Sequence, residues 1–258
     1  MAKILVCYKW VDDEQDIKIN PGDLSLDFSN ARKKVSEFDL NGIEEGTLLA
    51  AKLGGSVDAL TFGSPDVQHS LRDVHSRGPN TIYWVGDPAA DKADAYVVAN
   101  VLAAAIRKIG PYDLIICGEA SSDFSNEQTA PRLAALLGTP AITYVRELTS
   151  DGKTHKAARK LMDCTEVATV QGPCVISVMN EINKPRVPGL KQVLAAGRKH
   201  SRQIKIADLG LSADDLKARV VCTSVKGFVM KRKNIIYKDG DVAAEVSKLV
   251  SSLSQECL

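Results

Sequence analysis

Short, unbroken apolar runs recur along this chain and alternate with longer stretches of helical periodicity; no other feature restricts its fold as much. Ile4-Leu5-Val6-Cys7-Tyr8, Val57 to Phe62, Thr81 to Val85, Leu114 to Cys117, Ala141 to Val145 and Cys174 to Val178 have the length and composition of strands buried on both faces. Between them the spacing predicts helices over Asn41–Leu53, Asp66–Ser76, Ala93–Ile109 and Glu127–Leu137, the first three closed by Gly54-Gly55, Gly78-Pro79 and Gly110-Pro111. From Glu147 to Val170 polar residues alternate around Asp151-Gly152, as in an antiparallel hairpin. This order predicts a doubly wound, mostly parallel α/β sheet with an antiparallel hairpin and a C-terminal arm.

Composition narrows the function. A chain of 258 residues with net charge +1 is about one large domain, with no electrostatic reason to bind nucleic acid or a membrane in bulk. Its six cysteines are scattered without a C-x-x-C pair, and Cys7, Cys117 and Cys174 fall inside apolar runs, where a thiol behaves as a small core group. No signal-type apolar segment follows Met1 and no run approaches a membrane span, so a cytoplasmic chain without membrane insertion is expected. From Asn183 to Arg202 the chain loses periodicity and becomes rich in Pro, Gly, Lys and Arg. Beyond the basic Lys205, Val220–Val225 reads as a strand and Asp241–Leu253 as an amphipathic helix, with Lys231-Arg232-Lys233 between them. The expected division is a domain over 1–205, including a loop at 182–200, and an arm over 206–258.

The segment after Leu114-Ile115-Ile116 carries the strongest chemical signal. Cys117-Gly118-Glu119-Ala120-Ser121-Ser122-Asp123 ends a buried strand in small and polar residues, and Gln128-Thr129-Ala130-Pro131 then opens a helix. Bare backbone N–H groups and hydroxyls meeting a helix N-terminus suit a phosphate. The ends Cys7-Tyr8-Lys9 and Phe62-Gly63-Ser64 would face the same crevice. There Asp123 is placed to accept from a ribose hydroxyl, and Gln128 and Thr129 to donate to phosphate oxygens. The plainer alternative is that Thr129 caps its helix and Asp123 solvates a loop; spacing leaves both open. Catalytic patterns are absent: His69 and His75 are six apart, His155 and His200 lie in polar surroundings and are expected to be solvated, and no HExxH, phosphate-binding Walker loop or Ser/His/Asp order occurs. Asp12-Asp13-Glu14 reads as a hydrated carboxylate run. In the 182–200 loop, basic residues flank an apolar patch of Leu190, Val193, Leu194, Ala195 and Ala196 without interleaved aromatics. That favours a protein docking anchor, the alternative being a short buried helix.

These segments together resemble the β subunit of electron transfer flavoprotein over nearly the whole chain. The resemblance rests on Tyr8-Lys9, on Glu37-Phe38-Asp39-Leu40-Asn41-Gly42-Ile43-Glu44-Glu45, on Gly118…Asp123…Gln128-Thr129, and most specifically on Asn183-Lys184-Pro185-Arg186…Leu190 followed by Lys205-Ile206-Ala207-Asp208-Leu209-Gly210. It implies an adenine nucleotide alpha-hydrolase-like fold and a heterodimer whose α subunit holds the main FAD, with AMP or a second FAD in this subunit's crevice. Matched residue by residue, the resemblance implies cofactor contacts at Cys7, Ser36, Phe38, Asp39, Phe62, Gly118, Ala120, Ser121, Ser122, Asp123, Asn126, Gln128 and Thr129. It implies docking of a flavin-dependent dehydrogenase through the 182–200 loop, with Arg186, Leu190, Val193 and Leu194 as the contacting residues. Ser36-Glu37 replaces the family's usual Asn-Pro, and Phe124 stands where a glycine is common. Ile142-Thr143-Tyr144-Val145 resembles the bacterial fix-type and bifurcating branch, which serves acyl-CoA or carnitine-linked redox. The implied role is electron carriage without transformation of a substrate, with NADH-dependent flavin reduction only in a bifurcating member. The rival is a regulatory nucleotide-binding module of the universal-stress-protein type. An ATP-pyrophosphatase is excluded because Tyr8-Lys9-Trp10 occupies the place of its Ser-Gly-Gly loop.

Overall fold

Strands β1 (Lys3–Cys7), β2 (Trp10–Asp12), β3 (Lys18–Ile19), β4 (Leu26–Asp27) and β5 (Lys33–Val35) precede helix α1 (Glu37–Leu53). Then follow β6 (Ser56–Gly63), a 3-10 turn at Pro65–Ser70 leading into α2 (Leu71–Ser76), β7 (Thr81–Gly86), α3 (Ala95–Ile109), β8 (Leu114–Gly118) and α4 (Thr129–Leu137). The chain continues through β9 (Ala141–Ser150), β10 (Thr154–Lys160), β11 (Thr165–Gln171), β12 (Cys174–Val178), α5 (Leu190–Ala196), β13 (His200–Gln203) and α6 (Val242–Glu256). This is a computed structural model, and it describes residues 1–230, 232–238 and 240–256; Lys231 of the basic triplet and Cys257 lie outside the described residues.

The apolar runs line up as one nine-stranded sheet in the order β11-β10-β9-β12-β8-β1-β6-β7-β13. Neighbours from β9 through β13 in that order are parallel, and β9, β10 and β11 pair antiparallel. Strand alternation sends Ile4 and Val6 to one face and Leu5 and Cys7 to the other, which is why the run is apolar throughout. On the first face Ile43 and Leu49 of α1 and Val74 of α2 pack with Ile4, Val6, Val57 and Ile116. On the second, Val97, Val101 and Ala105 of α3 and Leu133 of α4 pack with Leu5, Leu60, Phe62 and Ile115. From β1 the chain builds outward through β6 and β7, then returns to place β8 on the other side of β1. The carboxyl ends of β1 and β8 therefore part at a switch point, where open α/β sheets hold ligands.

Several elements differ from the sequence expectation. Helix α1 starts at Glu37, four residues before the predicted Asn41, and its first turn carries the buried polar residue Asp39, with Asn41, Glu44 and Glu45 also buried further on. Apolar periodicity does not see residues whose burial is offset by partners far along the chain. The predicted hairpin is a three-stranded meander, its first turn fixed by the Asp151 carboxylate accepting from the N–H groups of Lys153 and Thr154. The segment expected to be irregular holds α5 and β13, and β13 pairs with β7 from His200 opposite Thr81 to Gln203 opposite Trp84. Val220–Val225 forms no strand. His155, expected in solvent, is 1% exposed; it shares a strand face with the core residue Ala157. No described helix is long and apolar enough to cross a membrane.

The chain divides into two units: Met1–Lys18 with Asp27–Ser224, and Ile19–Leu26 with the segment from Val225 onward. Both hydrophobic clusters belong to the first. In the second, the Gly227 N–H donates to the Leu24 carbonyl and the Tyr237 hydroxyl bonds that of Ser252. Phe228, Ile236, Val242, Val246 and Leu253 are exposed, and α6 buries no residue.

Helix α1 approaches the sheet closely only because position 46 is glycine. A Cβ there would lie 2.6 Å from Val6 Cγ1 and 3.3 Å from Val57 Cγ2, both in the core. Gly46→Val is expected to lower stability by roughly 2–3 kcal/mol through overpacking, read as a shift of the urea midpoint.

Candidate functional site

Where β1 and β8 part, each leaves a backbone N–H without a ladder partner. The last paired residues are Val6 and Ile116. Asp39, in the first turn of α1, fills the gap: its carboxylate accepts the Lys9 N–H at 2.8 Å and the Gly118 N–H at 3.0 Å. Gly118 is the residue that admits it, since a Cβ would lie 2.5 Å from Asp39 Oδ1 and 2.8 Å from Phe38 Cβ. Burial pushes the Asp39 carboxyl up to about 7, although the two N–H donors and the Lys9 ammonium act in the opposite direction.

A crevice opens above this floor. Cys7, Tyr8 and Lys9 after β1, Phe62 of β6 and the stretch from Cys117 to Ser121 line one side; Ala93, Asp94, Ala95, Val98 and Leu102 at the start of α3 line the other. Phe124, Asn126, Glu127 and Thr129 lie along its rim before and into α4. Of the sequence-predicted cofactor residues, Cys7, Asp39, Phe62, Gly118, Ala120, Ser121, Asn126 and Thr129 line the crevice. The other five stand outside the lining. Ser36 Oγ accepts the Ser122 N–H and Ser122 Oγ accepts the Glu37 N–H, both at 3.3 Å, which ties the loop to the start of α1. Phe38 packs under Gly118. Gln128 turns along α4, accepting from Arg132 Nε at 2.9 Å. Asp123 pairs with Lys9 at 2.5 Å.

Sequence reasoning missed the α3 wall and two carboxylates. The signal for the wall was Asp94, a residue suited to an N-cap, immediately before an apolar helix. Asp94 accepts from Val97 N–H at 3.0 Å and from the Arg219 and Val220 N–H groups at 2.7 and 3.0 Å. Burial works against its ionisation, yet these donors hold its carboxyl below the usual range. Glu119 is buried, accepts from Ser177 Oγ at 2.6 Å and from the Tyr144 N–H, and burial raises its carboxyl. Tyr144 takes a positive φ of 59° in mid-strand and donates its hydroxyl to Glu127 at 2.6 Å. Glu127 and Ser125 also have positive φ, 53° and 46°. Left-handed backbone at three non-glycine residues around one loop is a strain that such sites retain. The Cys117 thiol in the crevice floor is pushed up by its hydrogen bond to Cys7 and by burial.

The segment at 182–200 is held at both ends. Asn41 Nδ2 donates to the Asn183 carbonyl at 2.9 Å, and Asn183 Nδ2 donates to the Asn41 carbonyl at 3.1 Å and to Glu45 at 3.0 Å. Arg186 Nε donates to the buried Glu44 at 2.6 Å while its side chain stays 55% exposed. At the far end Lys199 Nζ donates to the carbonyls of His75, Gly78 and Pro79, each at 2.9 Å. Between these anchors Leu190 and Leu194 stand 76% and 61% exposed, with Val193 half-buried.

Together these features define a doubly wound α/β protein with a crevice at its switch point and a braced apolar loop beside it. No histidine lines the crevice, and no group of three or more metal-ligating side chains occurs among the described residues. The family model of the electron transfer flavoprotein domain matches residues 23–209. The chain therefore belongs to the electron transfer flavoprotein domain family, with a role in electron transport of that flavoprotein kind.

Asp39 makes folding pH-dependent in a definite direction. Its carboxyl ionises near 3.8 when unfolded and about 7 when folded. The folded state therefore holds the extra proton, and this group's contribution to stability falls as pH rises from about 4 to 7. Asp39→Asn removes that slope, and because an amide N–H₂ cannot accept, it leaves one strand-end N–H unpaired at a cost of about 1–3 kcal/mol. Urea unfolding across that pH range, wild type against variant, reads both effects.

Proposed function

We propose that this chain is the β-type subunit of a heterodimeric electron transfer flavoprotein. In this reading an α-type subunit holds the main FAD, and the crevice of this chain takes a second nucleotide, AMP or a second FAD. The observation that carries the reading is a switch-point crevice built on the same helix, α1, that anchors an exposed leucine loop. Such a body is suited to hold a nucleotide and to present a loop to a partner. The loop around Leu190 and Leu194 is then the docking surface for a flavin-dependent dehydrogenase of the acyl-CoA type. The unburied apolar side chains after Val225 support an arm, taken as 206–258, that packs on the α subunit, with 1–205 as the nucleotide domain.

The residues fit a nucleotide. Ser121, Asn126 and Thr129 offer polar groups beside the N-terminus of α4, Lys9 offers a cation, and Phe62 and Phe124 offer apolar faces. When bound, flavin supplies reversible acceptance of electrons; the chain's own part is to hold nucleotide and partner. Asp39 keeps the strand ends apart, Glu119 braces the far wall, and the Asn41–Asn183 and Glu44–Arg186 contacts fix the docking loop. Ile142-Thr143-Tyr144-Val145 supports the fix-type or bifurcating branch, in which NADH would reduce a flavin in this crevice.

Co-expression with an α-type subunit, followed by counting FAD and AMP in the purified complex, tests the proposal. Two FAD without AMP identify the bifurcating form, and one FAD with one AMP the simple shuttle; no complex and no nucleotide overturn the reading. In the complex, Leu190→Ala is expected to weaken electron transfer from the dehydrogenase by about tenfold with nucleotide content unchanged.

A further inference from the structure

The near end of the loop around Leu190 and Leu194 is fixed by paired amides and an ion pair. Its far end hangs on one cation. Lys199 lies five residues after Leu194 and directly before β13. An ammonium has three hydrogens to donate, and the carbonyls of His75, Gly78 and Pro79 take them, each at 2.9 Å. These carbonyls belong to the end of α2 and the turn after it, where a helix leaves acceptors without partners. Burial holds the Lys199 ammonium below its ordinary range.

His75 shares this seat and is 3% exposed. Its Nδ1 meets the Pro79 carbonyl at 3.3 Å and its Nε2 meets Ser201 Oγ at 2.9 Å. A carbonyl only accepts, so Nδ1 carries the hydrogen and Nε2 accepts from the Ser201 hydroxyl, in the second residue of β13. The Pro79 oxygen thus serves Lys199 and His75 together. The charges that act on His75 are Lys199 and His200. On α2 and its cap stand Arg72, and Asp73 with Arg77, which bond each other at 3.1 Å. Of the elements packed against α2, the 3-10 turn carries His69 and Asp66, the latter paired with Lys33 at 2.7 Å. Helix α5 carries Lys191, and the only titratable side chain of β7 is Tyr83. Glu44 of the neighbouring α1 is taken by Arg186. A proton on Nε2 therefore removes the acceptor of Ser201 and brings a second cation onto the oxygen that Lys199 holds.

We propose that Lys199 is the positioning residue of the docking loop and that His75 makes its seat proton-sensitive: the loop is presented to a partner protein while His75 is neutral and loosened when it takes a proton. The proposal rests on the docking reading above and adds a regulation to it. Burial, with the Lys199 charge, keeps His75 below its ordinary value near 6.5. The seated state binds fewer protons than the loosened one, so the seat is complete above about pH 6.5 and weakens as pH falls below it. Asp39 acts in the opposite direction across the whole fold, and the buried His155 in the same direction, so only a local readout isolates the seat.

Hydrogen–deuterium exchange of the full-length chain at about pH 7.5 and 5.5, corrected for the intrinsic rate at each pH, supplies that readout. At the higher pH, Lys199→Met is expected to cut protection at the amides of β13 and Ile204 by about tenfold with that of α3 unchanged, and Lys199→Arg to restore part of it. The wild type should lose protection at β13 on acidification. His75→Gln, which keeps hydrogen-bonding groups and gains no charge, should abolish that loss. Unchanged protection in Lys199→Met, a fall spread over the whole chain, or an acid loss that persists in His75→Gln would overturn the proposal. In the complex with an α-type subunit, Lys199→Met should raise the KM of the dehydrogenase for the complex about tenfold, with kcat and nucleotide content within about twofold. Lost protection at β13 with an unchanged KM would overturn the docking reading and leave the seat standing.

Discussion

Two parallel strands that separate at a switch point must each leave a backbone N–H facing the gap, and in this chain both are taken by one carboxylate. Asp39 accepts from Lys9 on one strand end and Gly118 on the other, so the crevice stays open without orphaned donors. The interaction works only because Gly118 carries no side chain and α1 begins early enough to bring Asp39 under the sheet edge. The remaining polar residues of α1 extend the same logic. Asn41, Glu44 and Glu45, within two turns of Asp39, hold Asn183 and Arg186. One helix thereby sets the geometry of the crevice and of the neighbouring loop.

This arrangement explains how an electron transfer flavoprotein domain can be a holder of groups. Contacts fix two carboxylates of the crevice walls: the half-buried Asp94 by three backbone N–H groups, the buried Glu119 by Ser177 and Tyr144. The buried thiols Cys7 and Cys117 pack as core groups in the floor. Around the crevice, positive φ falls at Ser125, Glu127 and Tyr144, where the Tyr144 hydroxyl bonds Glu127.

Much of the fold was legible in the sequence because a two-sided sheet writes itself as continuous apolar runs. The runs ending at Cys7, Phe62 and Cys117 located three adjacent strand ends, and the small polar residues after Cys117 located the loop above them. What remained hidden has a common physical cause: burial secured by distant partners. Asp39, Asn41, Glu44 and Glu45 interrupt the apolar periodicity of α1, and the partners that offset their burial, Lys9, Gly118, Asn183 and Arg186, lie far along the chain. His155 was placed in solvent because its neighbours in sequence are polar, while its neighbours across the sheet are not. Strand β13 is four exposed residues with no pattern of its own, and its pairing with β7 depends on the anchored loop before it. The α3 wall was missed because its lining residues, Ala93, Ala95, Val98 and Leu102, are ordinary helix residues that become a wall through packing.

The most direct test of the account is hydrogen–deuterium exchange of the full-length chain, with and without saturating AMP or FAD. The account predicts slowed exchange at the amides of Cys7 to Lys9 and of Gly118 to Thr129, the segments that the Asp39 bridge and the loop place around the crevice. Protection confined to other parts of the chain, or none with either nucleotide, would contradict it.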